Sequence, residues 1–399
     1  MTSRVGILMS NPTQYHSPWF RSLATRTEIE IKVFYCFQPD ATQQGVDFDV
    51  AFHWDVPLLD GYSYAVLKNV ARTPGLHFSG CDTPEIADLV ASRQFDAWII
   101  NGWRVKSEWQ AIRACWKHRV PMLIRGDSHL LDQKRLHVRT AKRMILGHWI
   151  PRFSRYLTVG TLNEDYYKFY GADPSSFFPA RHFVDNERFA EKAAEARFHA
   201  SELRAKWRIS ESATVFLFAG KFVEKKQPMD AIKAIQELTA GRQDVHLLMV
   251  GDGDLRQSCE EYSAAQRLPV TFAGFLNQSE IAAPYAVADV LVLPSAYAET
   301  WGLVVNEAMS CGVPAIVSDR VGCAPDLVHS GRTGMVFPAG DVDALAYAMS
   351  VYAGNRSLIS EHGANAEKSV ANYSVEAATN STVAAVLSVT NARASVCAA

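Results

Sequence analysis

Ala298-Glu299-Thr300-Trp301-Gly302-Leu303-Val304-Val305-Asn306-Glu307-Ala308-Met309, closed by Cys311-Gly312-Val313-Pro314-Ala315-Ile316-Val317, sets two carboxylates eight residues apart around a Gly-Leu pair that opens a helix. If the residues between them are helical, the glutamates lie roughly 12 Å apart at ~1.5 Å per residue. That is about the span from the ribose of a sugar nucleotide to the sugar beyond its diphosphate. Between the two carboxylates the helix N-terminus offers unpaired N–H groups and the positive end of its dipole, a seat for phosphate. Glu187 and Glu195 share the spacing on a segment that reads as surface helix, so the surrounding sequence has to decide.

Working outward, short apolar runs bounded by Gly, Pro, Asn or Asp alternate with helix-period segments, the pattern of parallel sheets covered by helices. The second half predicts strands over Val215–Ala219, His246–Val250, Val270–Ala273, Val290–Leu293 and Ala315–Val317. Helices fall at Pro228–Leu238, Leu255–Ala265, Gln278–Ala288 and Gly302–Ser310, with another from Val342. This is a doubly wound sheet, and its ligand crevice belongs beyond the carboxyl ends of the strands, where Gly220, Gly251, Gly274, Pro294 and Ser318 stand. The first half predicts strands at Val5–Met9, Ile31–Phe37, Ala97–Asn101, Pro121–Arg125 and Tyr156–Val159. A charged, alanine-rich stretch from Arg181 to Ser210 has no strand signal and reads as the connection between domains. The expected division is 1–180 and 181–374, with a helix over about 375–392 packing back on the first domain before a frayed end.

The chain has 399 residues, more than one core usually serves, so two domains are expected. Hydrophobic residues make up 48%, charged residues 21%, and the net charge is -2, which gives nucleic acid no overall electrostatic handle. Seven scattered cysteines form no Cys-x-x-Cys pair or Cys/His cluster, arguing against a disulfide scaffold or structural zinc. With no charged leader ahead of Val5 and no run of ~20 apolar residues, the sequence predicts a cytoplasmic protein.

Several stretches keep one order over residues 214–345. They are Phe218-Ala219-Gly220-Lys221-Phe222-Val223-Glu224-Lys225-Lys226-Gln227-Pro228, Val250-Gly251-Asp252-Gly253-Asp254-Leu255, Phe272-Ala273-Gly274-Phe275, Ala288-Asp289-Val290-Leu291-Val292-Leu293-Pro294-Ser295, the run from Glu299 to Glu307, and Pro325-Asp326-Leu327-Val328 with Gly331-Arg332-Thr333-Gly334. In these the chain closely resembles the retaining glycosyltransferases of family 4, while its first half resembles them mainly in strand pattern. The resemblance implies an α/β, GT-B fold: two facing Rossmann-like doubly wound domains with the active site in the cleft between them. It implies transfer of a sugar from a nucleotide diphosphate sugar to a hydroxyl of a glycan or lipid-linked acceptor, as in bacterial surface polysaccharide or glycoconjugate synthesis. A GT-B epimerase, a phosphorylase or a non-catalytic binding partner would share the architecture.

By that resemblance Glu307 holds the donor's ribose hydroxyls and Glu299 contacts the transferred sugar near its reacting carbon. The alternative is a pair of solvated glutamates. A carboxylate accepts from two vicinal hydroxyls at once, and hydrogen bonds to charged groups contribute ~1.5–3 kcal/mol. Where the family places an Arg and a Lys on the diphosphate, this chain has Lys221 and Lys226. Lys keeps the charge but gives up the planar fork of Arg; the other reading is two surface lysines, and Lys225 reads as a spare facing solvent. Gly302 and Leu303 would add backbone N–H contacts beside Thr300. Trp301, where the family usually has Phe, reads more as packing. Gly220 ends the strand before the lysines, and Gly274 with Phe275 marks the nucleobase or a plain strand-end turn. Asp252-Gly253-Asp254 fits the metal-binding Asp-x-Asp pattern, but so do Asp47-x-Asp49 and Asp341-x-Asp343. With lysines and a helix N-terminus on the diphosphate, the expectation is no metal and no cofactor.

The first half is expected to carry the acceptor, although the family's Gly-Gly turn is replaced by Ser10-Asn11-Pro12-Thr13-Gln14-Tyr15-His16-Ser17. His16 either orients a hydroxyl or is a capping or packing histidine. Asp127 occupies the position where the family commonly has a His contacting the donor sugar. With Arg125 it is either catalytic machinery or a structural ion pair. Gly102 and Trp103, after Asn101, offer a wall for a sugar ring. From Lys134 to Arg155 there are seven Lys/Arg and no Asp or Glu, interleaved with Leu136, Met144, Ile145, Leu146, Trp149, Ile150 and Phe153. That segment, 134–155, is either an interfacial helix contacting the anionic inner face of a membrane or a solvated basic face.

Overall fold

The computed structural model describes residues 2–45, 50–131, 136–242 and 244–397. The calls on Asp47, Asp49, Lys134, Arg135, Ala398 and Ala399 lie outside them.

The chain forms two units, the first made of 1–43, 57–182 and 375–399, the second of 44–56 and 183–374. The first holds a seven-stranded sheet: β1 (Ser3–Met9), β2 (Ile29–Tyr35), β3 (Tyr64–Val66), β4 (Ala97–Asn101), β5 (Met122–Arg125), β6 (Arg155–Thr158) and β7 (Phe177–Pro179). The second holds six: β8 (Thr214–Ala219), β9 (Val245–Val250), β10 (Val270–Gly274), β11 (Val290–Leu293), β12 (Ala315–Ser318) and β13 (Gly334–Phe337). The spatial orders are β3-β2-β1-β4-β5-β6-β7 and β10-β9-β8-β11-β12-β13. Every pairing is parallel.

In each sheet the order reverses beside the first strand, between β1 and β4 and between β8 and β11. Loops diverge there at the carboxyl ends of the strands and leave a crevice. All six residues of β8 and of β9 are buried, as strands covered on both faces require. Phe216, Phe218, Ile232, Ile235, Met249, Leu345 and Tyr352 fill that unit's core; Phe34, Trp98, Ile100, Ile112, Tyr156 and Tyr167 fill the first.

Three strands had no prediction: β3, β7 and β13 are edge strands of three or four residues, only partly buried, and their apolar runs are too short for periodicity to find. The connecting stretch is two helices, Asn186–Arg197 and Ala200–Lys206, the first burying Phe189 and Ala193 in the second unit. Position in the sequence alone would give Gln44–Val56 to the first unit, yet it clusters with the second. There Phe52 meets Phe275 with ring centroids 4.3 Å apart, and the Asn277 amide donates to the His53 carbonyl at 2.7 Å. The helix Val375–Cys397 belongs to the first unit, where Thr379 bonds Ser22 at 2.9 Å and Arg155 donates to Ser388 at 2.8 Å.

Candidate functional site

In the second unit, polar groups gather at the reversal between β8 and β11. Lys226 lies in the turn after β8, and its ammonium donates to Glu299 Oε2. Both side chains are mostly buried, 14% and 12% exposed. The hydroxyl of Ser295, just past β11, donates to the same carboxylate oxygen at 3.1 Å. The loops close on each other through Ala296 N–H to the Lys225 carbonyl, 2.9 Å, and Lys225 is half-buried, not the solvent-facing spare expected.

Glu299 is not helical. It makes a single parallel bridge with Val321, and the helix begins only at Leu303 and runs to Ser310. The all-helical stretch on which the 12 Å separation was based therefore does not exist; only its second half is helix. Gly302 is the N-cap at φ 93°, and a Cβ there would stand 3.0 Å from both Leu293 and Val321 side chains, so glycine alone makes this entry. The leading N–H groups of such a helix favour an anion at its mouth.

Glu307, 2% exposed, is fixed by the Tyr285 hydroxyl, which donates to Oε2 at 2.7 Å. Trp301 is a packing residue: its indole is buried, donates to Asn306 Oδ1 at 2.7 Å and lies 5.9 Å from the Tyr373 ring. Gly274 ends β10 at φ 77°, and Phe275 after it is covered by Phe52. Gly220 and Gly251 meet so closely that a Cβ on Gly251 would stand 1.9 Å from the Gly220 carbonyl oxygen. The Asp252 carboxylate is engaged by Arg256 at 2.6 Å, and Asp341 caps the helix Val342–Tyr352 through the Ala344 N–H at 2.9 Å. Among the described residues no group of three His, Cys, Asp or Glu is arranged to hold a metal.

In the first unit, Ser10, His16, Gly102, Trp103, Glu108, Arg125, Asp127 and His182 line one cavity of about 440 Å³. It opens at the β1/β4 reversal, where Ser10 follows β1 and Asn101 ends β4. The expected acceptor-side residues thus come together, and Asp127 sits with them. Arg125, at the end of β5, is 2% exposed; its Nη1 donates to His16 Nε2 at 3.5 Å and its guanidinium stacks 5.4 Å from the Trp19 ring. An arginine can only donate, so Nε2 accepts and Nδ1 carries the proton it shares with Thr13 Oγ1 at 2.8 Å. Burial first, and Arg125 second, push His16 down to about 3, and the same two causes, with His16 as a third, hold His182 well below its ordinary range. Burial lowers Arg125 to about 10, opposed by Asp127.

Glu108 was not foreseen. It is the third residue of the helix Lys106–His118 and accepts the Val105 N–H at 2.9 Å, a sequence position that reads as a cap. Burial raises it to about 7, against backbone hydrogen bonds from Val105 and Arg104. Tyr285, Ser295 and His182 were missed too. Ser295 was the most legible of them, since it follows Pro294 at a strand end.

The helix Leu136–Trp149 carries only the middle of the basic segment: Arg152 lies in the turn after it, and Arg155 opens β6 and donates to Ser388, so 134–155 is not a single interfacial helix. Lys142, Arg143, Met144 and Ile145 are exposed, and Arg143 lies 5.2 Å over the Phe169 ring.

Residues 200–369 match the family model Glycosyl transferases group 1. That match lies wholly in the second unit and spans Lys226, Ser295, Glu299 and Glu307. Among curated proteins, the chain is 26% identical to D-inositol 3-phosphate glycosyltransferase 2 of Catenulispora acidiphila, over 79% of this chain and 73% of that protein. It is 29% identical to the sulfoquinovosyl transferase SQD2 of Arabidopsis thaliana over 49% of this chain. Of several such relatives the chain spans only about a third to a half, 37% in the Arabidopsis case. Among solved structures, Anabaena Alr3699/HepE in complex with UDP superposes with a TM-score of 0.71 at 17% identity, covering 96% of this chain and 99% of that one. The fold is GT-B, with a Rossmann-like parallel sheet in each unit.

Proposed function

We propose that this chain is a retaining glycosyltransferase that moves a sugar from a nucleotide diphosphate sugar to a hydroxyl of a glycan or lipid-linked acceptor. The observation that carries this reading is the buried Lys226–Glu299 pair with Ser295 at the reversal of the second sheet, beside a helix entered through Gly302 and holding Glu307. The group 1 match over the same residues supports it.

In this reading Glu307, oriented by Tyr285, holds the ribose. Lys221, Lys226 and the N–H groups of Gly302 and Leu303 carry the diphosphate, Thr300 lines the same mouth, and Phe275 with Gly274 meets the base. Glu299 positions the sugar and favours positive charge at its anomeric carbon. The bond from that carbon to the diphosphate oxygen breaks, and the bond to the acceptor oxygen forms on the same face. The acceptor proton goes to the departing diphosphate, so no divalent ion or other cofactor is required. The first unit's cavity receives the acceptor, with Asp127 close to its reacting hydroxyl. The exposed Lys142–Ile145 segment rests on anionic lipid at the cytoplasmic face of a membrane, a surface-polysaccharide or glycoconjugate setting.

The test is a thermal-shift screen against nucleoside diphosphates and their sugars, since a ligand that binds only the folded state raises the transition with concentration. A shift with one nucleotide family, lost in Glu307→Ala, is the expected result. No shift with any of them would overturn the donor assignment.

A further inference from the structure

The proposed transfer leaves one motif of the second unit without a task, the turn that carries Arg332. Gly331, at φ 77°, makes its corner, and the His329 carbonyl accepts the N–H groups of Arg332 and Thr333 at 2.9 and 3.0 Å. Thr333 Oγ1 accepts the His329 N–H at 2.8 Å and donates to the Leu327 carbonyl at 2.7 Å, which pins the turn in place. In the helix Arg356–Val370, Asn365, Lys368 and Ser369 stand at i, i+3 and i+4 and therefore share one face. Turn and helix face, with Asn372 and Tyr373, line a cavity of about 310 Å³.

The polar side chains that meet there are unengaged. Among the described residues, the side chains of Arg332, Lys368, Asn365, Ser369, Asn372 and His329 have no hydrogen-bond or ion-pair partner. The guanidinium groups of Arg188, Arg204 and Arg356 in the same unit are each held by a carbonyl or a carboxylate. No Asp or Glu lines the cavity; the Asp326 carboxylate is 9% exposed and accepts from the Tyr373 hydroxyl at 3.2 Å. Lys368 falls in the last turn of its helix, where a cation offsets the dipole by ~0.3–1 kcal/mol. Arg332 has no such role. Two cations turned to one concavity without a counter-charge repel each other, and an oxyanion between them removes the repulsion. The cavity also stands apart from the donor crevice. Its turn leads into β13 at Gly334, which pairs with Ala315 at the amino end of β12, whereas Lys226, Ser295 and Glu299 stand past the carboxyl ends of β8 and β11.

We propose that this cavity is a second ligand site, which binds a phosphomonoester between the Arg332 guanidinium and the Lys368 ammonium. The planar fork of Arg332 takes two phosphate oxygens, the lysine serves as a point charge, and the Asn365 and Asn372 amides and the Ser369 hydroxyl donate to what remains. A phosphorylated soluble sugar and a lipid headgroup present the same chemistry to it. The site goes beyond the transfer reaction and does not depend on the donor assignment.

The test is calorimetric titration of the purified full chain with inorganic phosphate, glucose 6-phosphate and glucose, with flotation on vesicles containing phosphatidic acid as the lipid arm. Expected is binding of phosphate and of at least one of the two phosphomonoesters, but not of glucose. Binding of glucose 6-phosphate assigns a soluble ligand, and capture by phosphatidic acid vesicles alone assigns a lipid headgroup. Arg332 and Lys368 are exposed, so Arg332→Gln and Lys368→Gln should keep the fold. Each should weaken binding about tenfold, as loss of a charge-assisted pair does, and the double variant should abolish it. Arg208→Gln, which alters an exposed arginine of the same unit outside the cavity, should bind as wild type. Equal binding in wild type and the double variant, an equal loss in Arg208→Gln, loss only in Lys226→Gln, or no binding of phosphate or of either phosphomonoester would each overturn it. Failure of the donor reading has a separate signature, because no nucleoside diphosphate would bind at Glu307 while the Arg332-dependent phosphate binding persisted.

Discussion

Lys226 and Glu299 form a buried ion pair, and Ser295 donates to the same carboxylate oxygen that the lysine holds. Cation and carboxylate come from different loops, one after β8 and the other after β11, so the pair ties together the two sides of the sheet's reversal. In the proposed reading a diphosphate on Lys226 would share the lysine's charge with Glu299, which would couple leaving-group binding to the position of that carboxylate.

Glu299→Gln keeps the shape of this arrangement and removes its charge. Steady-state transfer should show kcat lowered about 100-fold, the scale for losing one preorganised electrostatic group, with donor KM little changed. Lys226→Gln should lower kcat and raise donor KM together. Wild-type rates in both variants would remove the pair from the chemistry.

Tyr285→Phe deletes one hydrogen bond to Glu307 and nothing else of its shape. Donor affinity should fall about fivefold, as loss of ~1 kcal/mol implies, while kcat at saturating donor stays within twofold or so. Glu307→Ala should cost more affinity than Tyr285→Phe.

Two groups in the first unit's cavity give opposite pH slopes. Glu108 is raised to about 7 in the fold from an ordinary value near 4.5, so its contribution to stability is full below ~4.5 and is lost as pH rises to about 7. His16 is depressed from 6.5 to about 3, so its contribution is full above 6.5 and is lost as pH falls toward 3. Urea midpoints across pH 4 to 8 should therefore show Glu108→Gln gaining on wild type as pH rises, and His16→Asn gaining as pH falls. Parallel curves would mean that neither group titrates as its burial implies.

Gly251→Ala should destabilise on the order of 3 kcal/mol, because the added Cβ meets the Gly220 carbonyl and φ is 130°. Thermal unfolding measures it; an unchanged transition would mean that the two turns can separate without cost.

In flotation assays, vesicles containing phosphatidylserine should recover more protein than neutral ones, and Met144→Glu with Ile145→Glu should abolish the difference. Met144 is 69% exposed, and Lys142 and Arg143 stand beside it. Equal recovery on both vesicle types would assign the segment to solvent.

What the sequence disclosed follows from how local each cause is. Strands buried on both faces, such as β8 and β9, announce themselves as unbroken apolar runs, and Gly302 before Leu303 marks a helix start from a few adjacent residues. The edge strands β3 and β7 are held by a neighbour that lies tens of residues away, and no local pattern carries that. Lys226, Glu299 and Glu307 were visible as an ordered set of motifs. Tyr285 and Ser295 hydrogen-bond Glu307 and Glu299 and gave no separate signal, while Glu108 looked like an ordinary helix cap because it is one. Its place in a cavity wall comes from the packing of β4 against β1.

The helix Val375–Cys397 is built into the first unit, although the whole second unit separates it from the rest of that unit along the chain. During synthesis the second unit's last strand and helices therefore emerge before the first unit has all of its parts. The usual order, in which the N-terminal domain folds first, is reversed for completion: the second unit can be finished while the first still awaits a piece.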